Sequence, residues 1–565
     1  VNVVLAARRR NVRGGPGARD ARRMTTPRPV DRLVAGVGGA VTTVTTLAGA
    51  GLARPLTPAA LLGAALALAR SGVTPAAACG VGAARFATEP ALVDDAGTLS
   101  FAHLDRRVRA LADAFAGAGV GGGDRIGVLC RNHRGFVEAT VGLSSLGADV
   151  VLLNTSFAPP QTGAVSARQR LTGLVHDDEF ALHARQARDA VDGLRTWRTR
   201  PGGDGPSVDV PGPVRHRFRI PPLSPGHFVL LTSGSTGAPK GAARSVPRNL
   251  DPLVALLDRI PLHARDVTLV SSPLFHAWGF GLLGLGLVLS STVVVQERFD
   301  PEAVLAAVER HRVRVLTVVP VMVKRLVELP EPTRRRYDTS SLAVVASSGA
   351  HLPGSLAARF MDLYGDVLYN VYGSTEAGWA AIATPDDLRA APGTVGTPPW
   401  RTEVRIVDGD GAVVATGTSG RIVVRSGLLV EGDDTDRRGP ATDGYLPTGD
   451  VGRIDGHGRL FVEGRQDDMI VSGGENVYPQ EVEELIARHR AVADVAVVAV
   501  DDAEFGQRLR ALVVRRPGAT LSEDDVRTYV RDHLARYKVP REVRFLDELP
   551  HNDVGKLVRS DPHRN

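Results

Sequence analysis

Cysteine is almost missing from this chain. Cys79 and Cys130 are the only two in 565 residues, which excludes a disulfide framework and suits a reducing compartment. Both sit in apolar surroundings, as buried inert thiols do, and nothing near either has metal-ligand spacing. No repeat of fixed period is visible, so no solenoid or propeller is expected. A body-wide basic face is missing too. The net charge is +6, but residues 1–32 hold nine arginines against Asp20 and Asp31. The basicity belongs to that segment and the rest of the chain is close to neutral, so no nucleic-acid surface is implied. Hydrophobic content of 43% and charged content of 23% are ordinary for a globular protein. A chain of 565 residues is too long for one core, so at least two domains are expected.

Residues 1–32 combine arginine, glycine and proline with little to bury and read as a basic disordered tail. Met24 is a candidate start, with the preceding residues an upstream reading of the gene. Leu33 to Ala53 carries no charge, yet its five glycines and four threonines make it a poor membrane span. Residues 33–84 are therefore expected to form an apolar, helical extension that is loosely folded or rests on a membrane surface. Within it, Thr57-Pro58 reads as an N-cap followed by proline at the first helical position, with the helix ending near Arg70-Ser71-Gly72.

From residue 85 strands and helices alternate. Ala91–Asp94 is predicted as a strand, and Ser100 as the cap of a helix through Leu104, Val108, Leu111 and Phe115. Ile126–Cys130 and Ala148–Leu153 are strands around a helix over Gly135–Gly147. The pattern predicts α/β architecture with largely parallel strands. Residues 196–225, rich in Pro, Gly and Arg, read as a loop.

A strand, His227–Leu231, then runs into Thr232-Ser233-Gly234-Ser235-Thr236-Gly237-Ala238-Pro239-Lys240-Gly241. Glycines let backbone N–H groups approach a ligand closely. Hydroxyls and N–H groups donate to phosphate oxygens, and Lys240 adds a full positive charge. The same composition also suits a solvated turn. A P-loop needs four residues between its glycines; here Gly234 and Gly237 are separated by two, so this is another kind of phosphate loop. The stretch resembles the phosphate-binding loop of the adenylate-forming superfamily, which includes acyl-CoA synthetases, peptide-synthetase adenylation domains and luciferases.

Four further motifs follow in that superfamily's order. Pro273-Leu274-Phe275-His276-Ala277-Trp278-Gly279-Phe280 stands where the resemblance implies the carboxylate substrate. His276 occupies it, with no aspartate for an amino group, which suits a greasy acid. Leu368–Glu376 is similar to the second nucleotide motif. Ser348, Gly349 and Ala350 lie just upstream, and Asn370, Tyr372 and Gly373 within it. By resemblance Tyr372 offers a face for adenine, Thr375 donates to the α-phosphate, and Glu376 ligates Mg2+. Asp450, in Gly444–Asp450, is implied as acceptor for both ribose hydroxyls. Gly464–Pro479 looks like the hinge and following loop: Arg465 on ribose or phosphate, Asp467 as hinge, Gly473 and Gly474 lining a coenzyme A tunnel. Pro550–Lys556 resembles the C-terminal catalytic lysine motif, with Lys556 stabilising charge in the transition state. One decoy intervenes: Gly279, Gly281 and Gly284 spell G-x-G-x-x-G inside an apolar helical run, which reads as close helix packing rather than a dinucleotide site.

The resemblance covers roughly residues 85–560 and implies four parts. These are the tail (1–32), the extension (33–84), a large adenylate-forming domain of layered α/β subdomains (85–464), and a small α+β lid domain (465–565) joined by a hinge. It implies that ATP, Mg2+ and coenzyme A serve a carboxylic acid, expected to be a fatty acid, giving acyl-CoA, AMP and pyrophosphate. In texture the chain is similar to actinobacterial-type fatty acyl-CoA ligases and to 4-chlorobenzoate-type ligases. An aryl-CoA ligase stays open, since Trp379 would shorten the pocket. So does a fatty acyl-AMP ligase loading a carrier protein, although the extra insertion of such enzymes is not seen. A silent nucleotide-binding scaffold is a fourth reading, against which stand the intact Lys240, Glu376, Asp450 and Lys556. Need for ATP and coenzyme A implies a cytoplasmic enzyme, neither exported nor threaded through a membrane. An oligomer is left open.

Overall fold

The computed structural model describes residues 41–52, 57–72, 74–199, 226–232, 240–244, 250–374, 378–426, 444–472, 475–502 and 506–549. The described residues from Thr46 onward belong to one compact unit. The expected helix opens at Thr57, whose Oγ1 accepts from the N–H of Ala60 at 3.2 Å, and spans Pro58–Ser71. A second helix, Pro75–Phe86, packs along it. Among the described residues no helix is long and apolar enough to cross a membrane.

Two large sheets build the body. The first runs Gly378–Ala383, Leu368–Ser374, Val344–Ser347, Val315–Val318, Val267–Val270, Thr292–Val295, Pro90–Asp94, Gly97–Ser100. Its inner pairs are parallel and only the pair at each edge is antiparallel. The second runs Arg195–Arg198, Gly173–His176, Arg125–Leu129, Asp149–Leu152, Phe228–Thr232, Lys240–Arg244, parallel except for its last pair. Valine-rich runs such as Val315–Val318 and Val344–Ser347 are buried throughout, as central strands covered on both faces must be. Helix Phe101–Gly117 begins at Ser100, whose Oγ accepts from the N–H of His103. It buries Leu104, Val108, Leu111 and Phe115 in a core shared with strands of both sheets.

Two expectations need correction. Arg195–Arg198 is an edge strand, so the loop read over 196–225 does not begin at 196. Trp197 holds it in place, buried and edge-on to Phe115 with ring centroids 5.3 Å apart; the flanking arginines mask this apolar anchor in the sequence. The three decoy glycines lie in helix Ala277–Val288, but only Gly279 is tightly packed. A Cβ there would sit 2.3 Å from the Pro273 carbonyl oxygen, whereas Gly284 faces open space and Gly281 lies beside Trp379.

An antiparallel sheet follows, Glu403–Val407, Gly420–Arg425, Leu446–Ile454 and Leu460–Arg465. The last sheet comprises Glu475–Val477, Ile470–Ser472, Gly506–Arg515, Val492–Asp502 and Glu542–Leu546, with helices Pro479–Ala487 and Glu523–His533 against it. Its buried apolar core is drawn wholly from Ile470 onward.

Candidate active site

The phosphate-loop residues divide between described and undescribed positions. Thr232 ends one strand and Lys240 begins the next, and the two are paired in antiparallel register. The stretch therefore joins the strands of a hairpin at the sheet edge. Ser233, Gly234, Ser235, Thr236 and Gly237 lie outside the described residues.

On the other large sheet, strand Leu368–Ser374 lies parallel to Val344–Ser347 and antiparallel to Gly378–Ala383. Ser348 leaves the first of these strand ends, and its Oγ donates to the carbonyl of Val371 at 2.7 Å. Gly349 follows at φ +91°, a conformation that glycine adopts without strain, and then Ala350. Asn370 is buried. Gly373 is fixed by space: a Cβ there would meet the carbonyl oxygen of Gly378 at 2.0 Å. Thr375 and Glu376, at the turn beyond, lie outside the described residues.

Tyr372 reaches a different sheet. Its hydroxyl donates to Oδ2 of Asp450 at 2.5 Å across 78 positions of sequence. Burial, and then the negative charge of Asp450, push the phenol well above its ordinary pKa, so it stays a donor. Asp450 also accepts an ion pair from Arg465, whose Nε is 3.8 Å from Oδ1; the two residues face each other across adjacent strands. An aromatic face, a carboxylate and a guanidinium thus meet where the two sheets adjoin.

His276 stands at the start of helix Ala277–Val288, its ring 4.4 Å from that of Phe275. Behind it, Trp278 and Trp379 meet edge to face at 6.0 Å, and the indole N–H of Trp278 donates to the carbonyl of Val318. The indole nitrogen of Trp379 is buried without a hydrogen-bond partner among the described residues.

Asp467 lies in the short 3-10 turn Gln466–Asp468, between the last strand of one sheet and the first of the next. Gly473 and Gly474 fall between strands Ile470–Ser472 and Glu475–Val477, outside the described residues; Lys556 is outside them too. Among the described residues no group of three or more His, Cys, Asp or Glu is placed to hold a metal ion.

Sequence reasoning missed two sets of contacts. Asn132 is buried and bridges the two halves of the body. Its Oδ1 accepts from the N–H of Leu274 at 2.9 Å, and its Nδ2 donates to the carbonyl of Ser272 at 3.0 Å. It thereby holds the segment that carries His276. Leaving those two backbone groups unpaired costs about 1–3 kcal/mol each. Asn132→Ala is therefore expected to lose at least about 2 kcal/mol of stability in urea unfolding; an unchanged midpoint would contradict the bridge.

The second set lies between the small C-terminal sheet and the body. His351, directly after Ala350, meets Gln480 and Glu484 of helix Pro479–Ala487, with Nε2 3.0 Å from Oε1 of Glu484. Lys324 Nζ lies 2.7 Å from Oδ2 of Asp494. Pairs 129–170 positions apart leave no local signal.

Residues 81–432 match the family model described as AMP-binding enzyme, and residues 481–556 that of the AMP-binding enzyme C-terminal domain. The chain is 34% identical to a feruloyl-CoA synthase of Amycolatopsis sp, over 85% of this chain and 97% of the relative. It is also 34% identical, over 85% of this chain and 96% of the relative, to 3-[(3aS,4S,7aS)-7a-methyl-1,5-dioxo-octahydro-1H-inden-4-yl]propanoyl:CoA ligase of Rhodococcus jostii. Among solved structures it is similar to the amide bond synthetase McbA of Marinactinospora thermotolerans. That match has TM-score 0.76 and 31% identity, and covers 83% of this chain and 95% of that one.

Proposed function

The chain belongs to the AMP-binding enzyme family of the adenylate-forming superfamily, and on that premise we propose that it is an AMP-forming acid–CoA ligase acting on a ring-bearing carboxylic acid, an aryl acid foremost. The observation that carries the nucleotide half is the junction of Tyr372, Asp450 and Arg465. A nucleoside needs an aromatic face for its base and a carboxylate for its ribose, and both are collected there from separate sheets.

The reaction has two halves. A carboxylate oxygen of the acid attacks the α-phosphorus of Mg·ATP, and pyrophosphate leaves with the electron pair of the broken P–O bond. The thiolate sulfur of coenzyme A then attacks the acyl carbon, and AMP departs. No protein nucleophile is required, since positioning and charge neutralisation carry both steps. We assign the triphosphate to the loop from Thr232 to Lys240, the α-phosphate to Thr375, and the magnesium that travels with ATP to Glu376. His276 would flank the carboxylate. Lys556 serves the first half and Gly473-Gly474 the second, with Asp467 as the pivot. The pivot reading is supported by its position between two sheets with separate cores.

For the acid, the fatty acid expected from the sequence has less support than its alternative. The relatives named above are described by ring-bearing acyl groups, and Trp379, packed edge to face on Trp278, is a bulky side chain that would shorten a bore. The buried Trp379 N–H is a donor that an oxygen substituent on a ring can meet. Trp379→Ala is expected to lower kcat/KM for aryl acids about tenfold while raising it for medium-chain aliphatic acids. An unchanged aryl-to-aliphatic ratio would remove Trp379 from the pocket.

The deciding assay follows AMP and pyrophosphate across aromatic, alicyclic and aliphatic acids, with coenzyme A, with a carrier protein, with an amine, and with no acceptor. Acyl-CoA formed from ring-bearing acids supports the proposal. Release of AMP only with fatty acids, or only with another acceptor, overturns it.

A further inference from the structure

Helix Pro58–Ser71 has an unusual outer face. Ala60, Ala64 and Ala67 are buried, and the contact with helix Pro75–Phe86 is made by small residues. A Cβ on Gly63 would lie 2.7 Å from that of Ala84, and one on Gly80 2.7 Å from that of Ala67. Backbones this close leave the large side chains on the other side. Leu61, Leu62, Leu66 and Leu68 are 59%, 63%, 40% and 48% exposed. Between them lie only alanines and Gly63, so the outward half of this helix presents no polar side chain before Arg70. Four clustered leucines form an apolar patch of roughly the few-hundred-Å2 size that marks an interaction surface.

The charge around it in the sequence is one-sided. No Asp or Glu occurs between Asp31 and Glu89, and residues 1–88 hold twelve arginines against two aspartates. A surface of negative lipid phosphates complements the arginines, and its acyl boundary accepts leucine without asking for hydrogen bonds. The helix has 14 residues, roughly 21 Å at 1.5 Å per residue, too short to span a bilayer but long enough to lie along one.

We propose that the leucine face of helix Pro58–Ser71 is a docking surface for an anionic bilayer, on which the protein rests peripherally. The leucines sit at the headgroup–acyl boundary, and Arg70, exposed in the last turn of the same helix, answers the lipid phosphates.

The test is co-sedimentation of the full chain with phosphatidylglycerol-rich vesicles and with pure phosphatidylcholine vesicles. Wild type is expected to partition onto the former, and less so in high salt. The double substitution Leu62→Glu with Leu66→Glu is expected to cut that partition at least about tenfold, with the vesicle-free melting curve kept. Should the glutamates disturb folding, Leu62→Ala with Leu66→Ala gives a smaller loss in the same direction. The proposal is overturned by failure of wild type to bind, by equal binding of wild type and a folded leucine variant, or by a variant that turns a dimer into a monomer while vesicle partition stays constant.

Discussion

Lys556→Ala is expected to lower the rate of acyl-adenylate formation by about two to three decades, the cost of one electrostatic contact made at the transition state. Conversion of supplied acyl-AMP to acyl-CoA should stay near the wild-type rate. The asymmetry follows from the chemistry. In the first half, negative charge accumulates between the incoming carboxylate and the α-phosphate, and an ammonium opposite it lowers the barrier. In the second, a thiolate displaces AMP from a carbonyl carbon, a step for which the proposed assignment calls on Gly473-Gly474 and not on the lysine. Pyrophosphate exchange measures the first half and thioester formation from synthetic acyl-AMP the second. Equal loss in both would rule out a lysine that serves one half only.

Substitution of Asp450 should give the next largest effect, and two variants separate its causes. Asp450→Ala removes the proposed acceptor for ribose and strands the Tyr372 hydroxyl, which in the wild type donates to Oδ2. Asp450→Asn keeps an oxygen for Tyr372 but loses the charge. A hydrogen bond to a charged group contributes about 1.5–3 kcal/mol. Each variant is therefore expected to lose roughly ten- to a hundredfold in kcat/KM for ATP, and the alanine variant also to melt earlier. The acid's KM should move little. Wild-type kcat/KM for ATP in both variants would sever Asp450 from the nucleotide.

The fold was legible wherever periodicity and caps agreed. Thr57 and Ser100 cap the helices expected of them, and the strands expected over Ala91–Asp94, Ile126–Cys130 and Ala148–Leu153 lie close to those bounds. Individual residues could be named, but their meeting could not: Tyr372 and Asp450 come from separate sheets, and nothing local encodes their distance. Asn132 was invisible for the same reason, since both its partners lie about 140 positions away. Trp197 was hidden by composition, an apolar anchor among arginines. Gly284 was read as packed because apolar neighbours suggested it, yet a helix buried along one side still leaves glycines in the open.

The small C-terminal body is moored to the large one through Lys324–Asp494 and through His351 with Gln480 and Glu484, while its oily interior belongs to itself alone. Such moorings can be cast off and remade at little net expense, because water solvates the parted charges about as well as they solvate each other. A seam of shared leucines would have welded the two bodies into a single pose. Ionic strength thus becomes a handle on the proposed turning of the small body, one that leaves the interior of either body untouched.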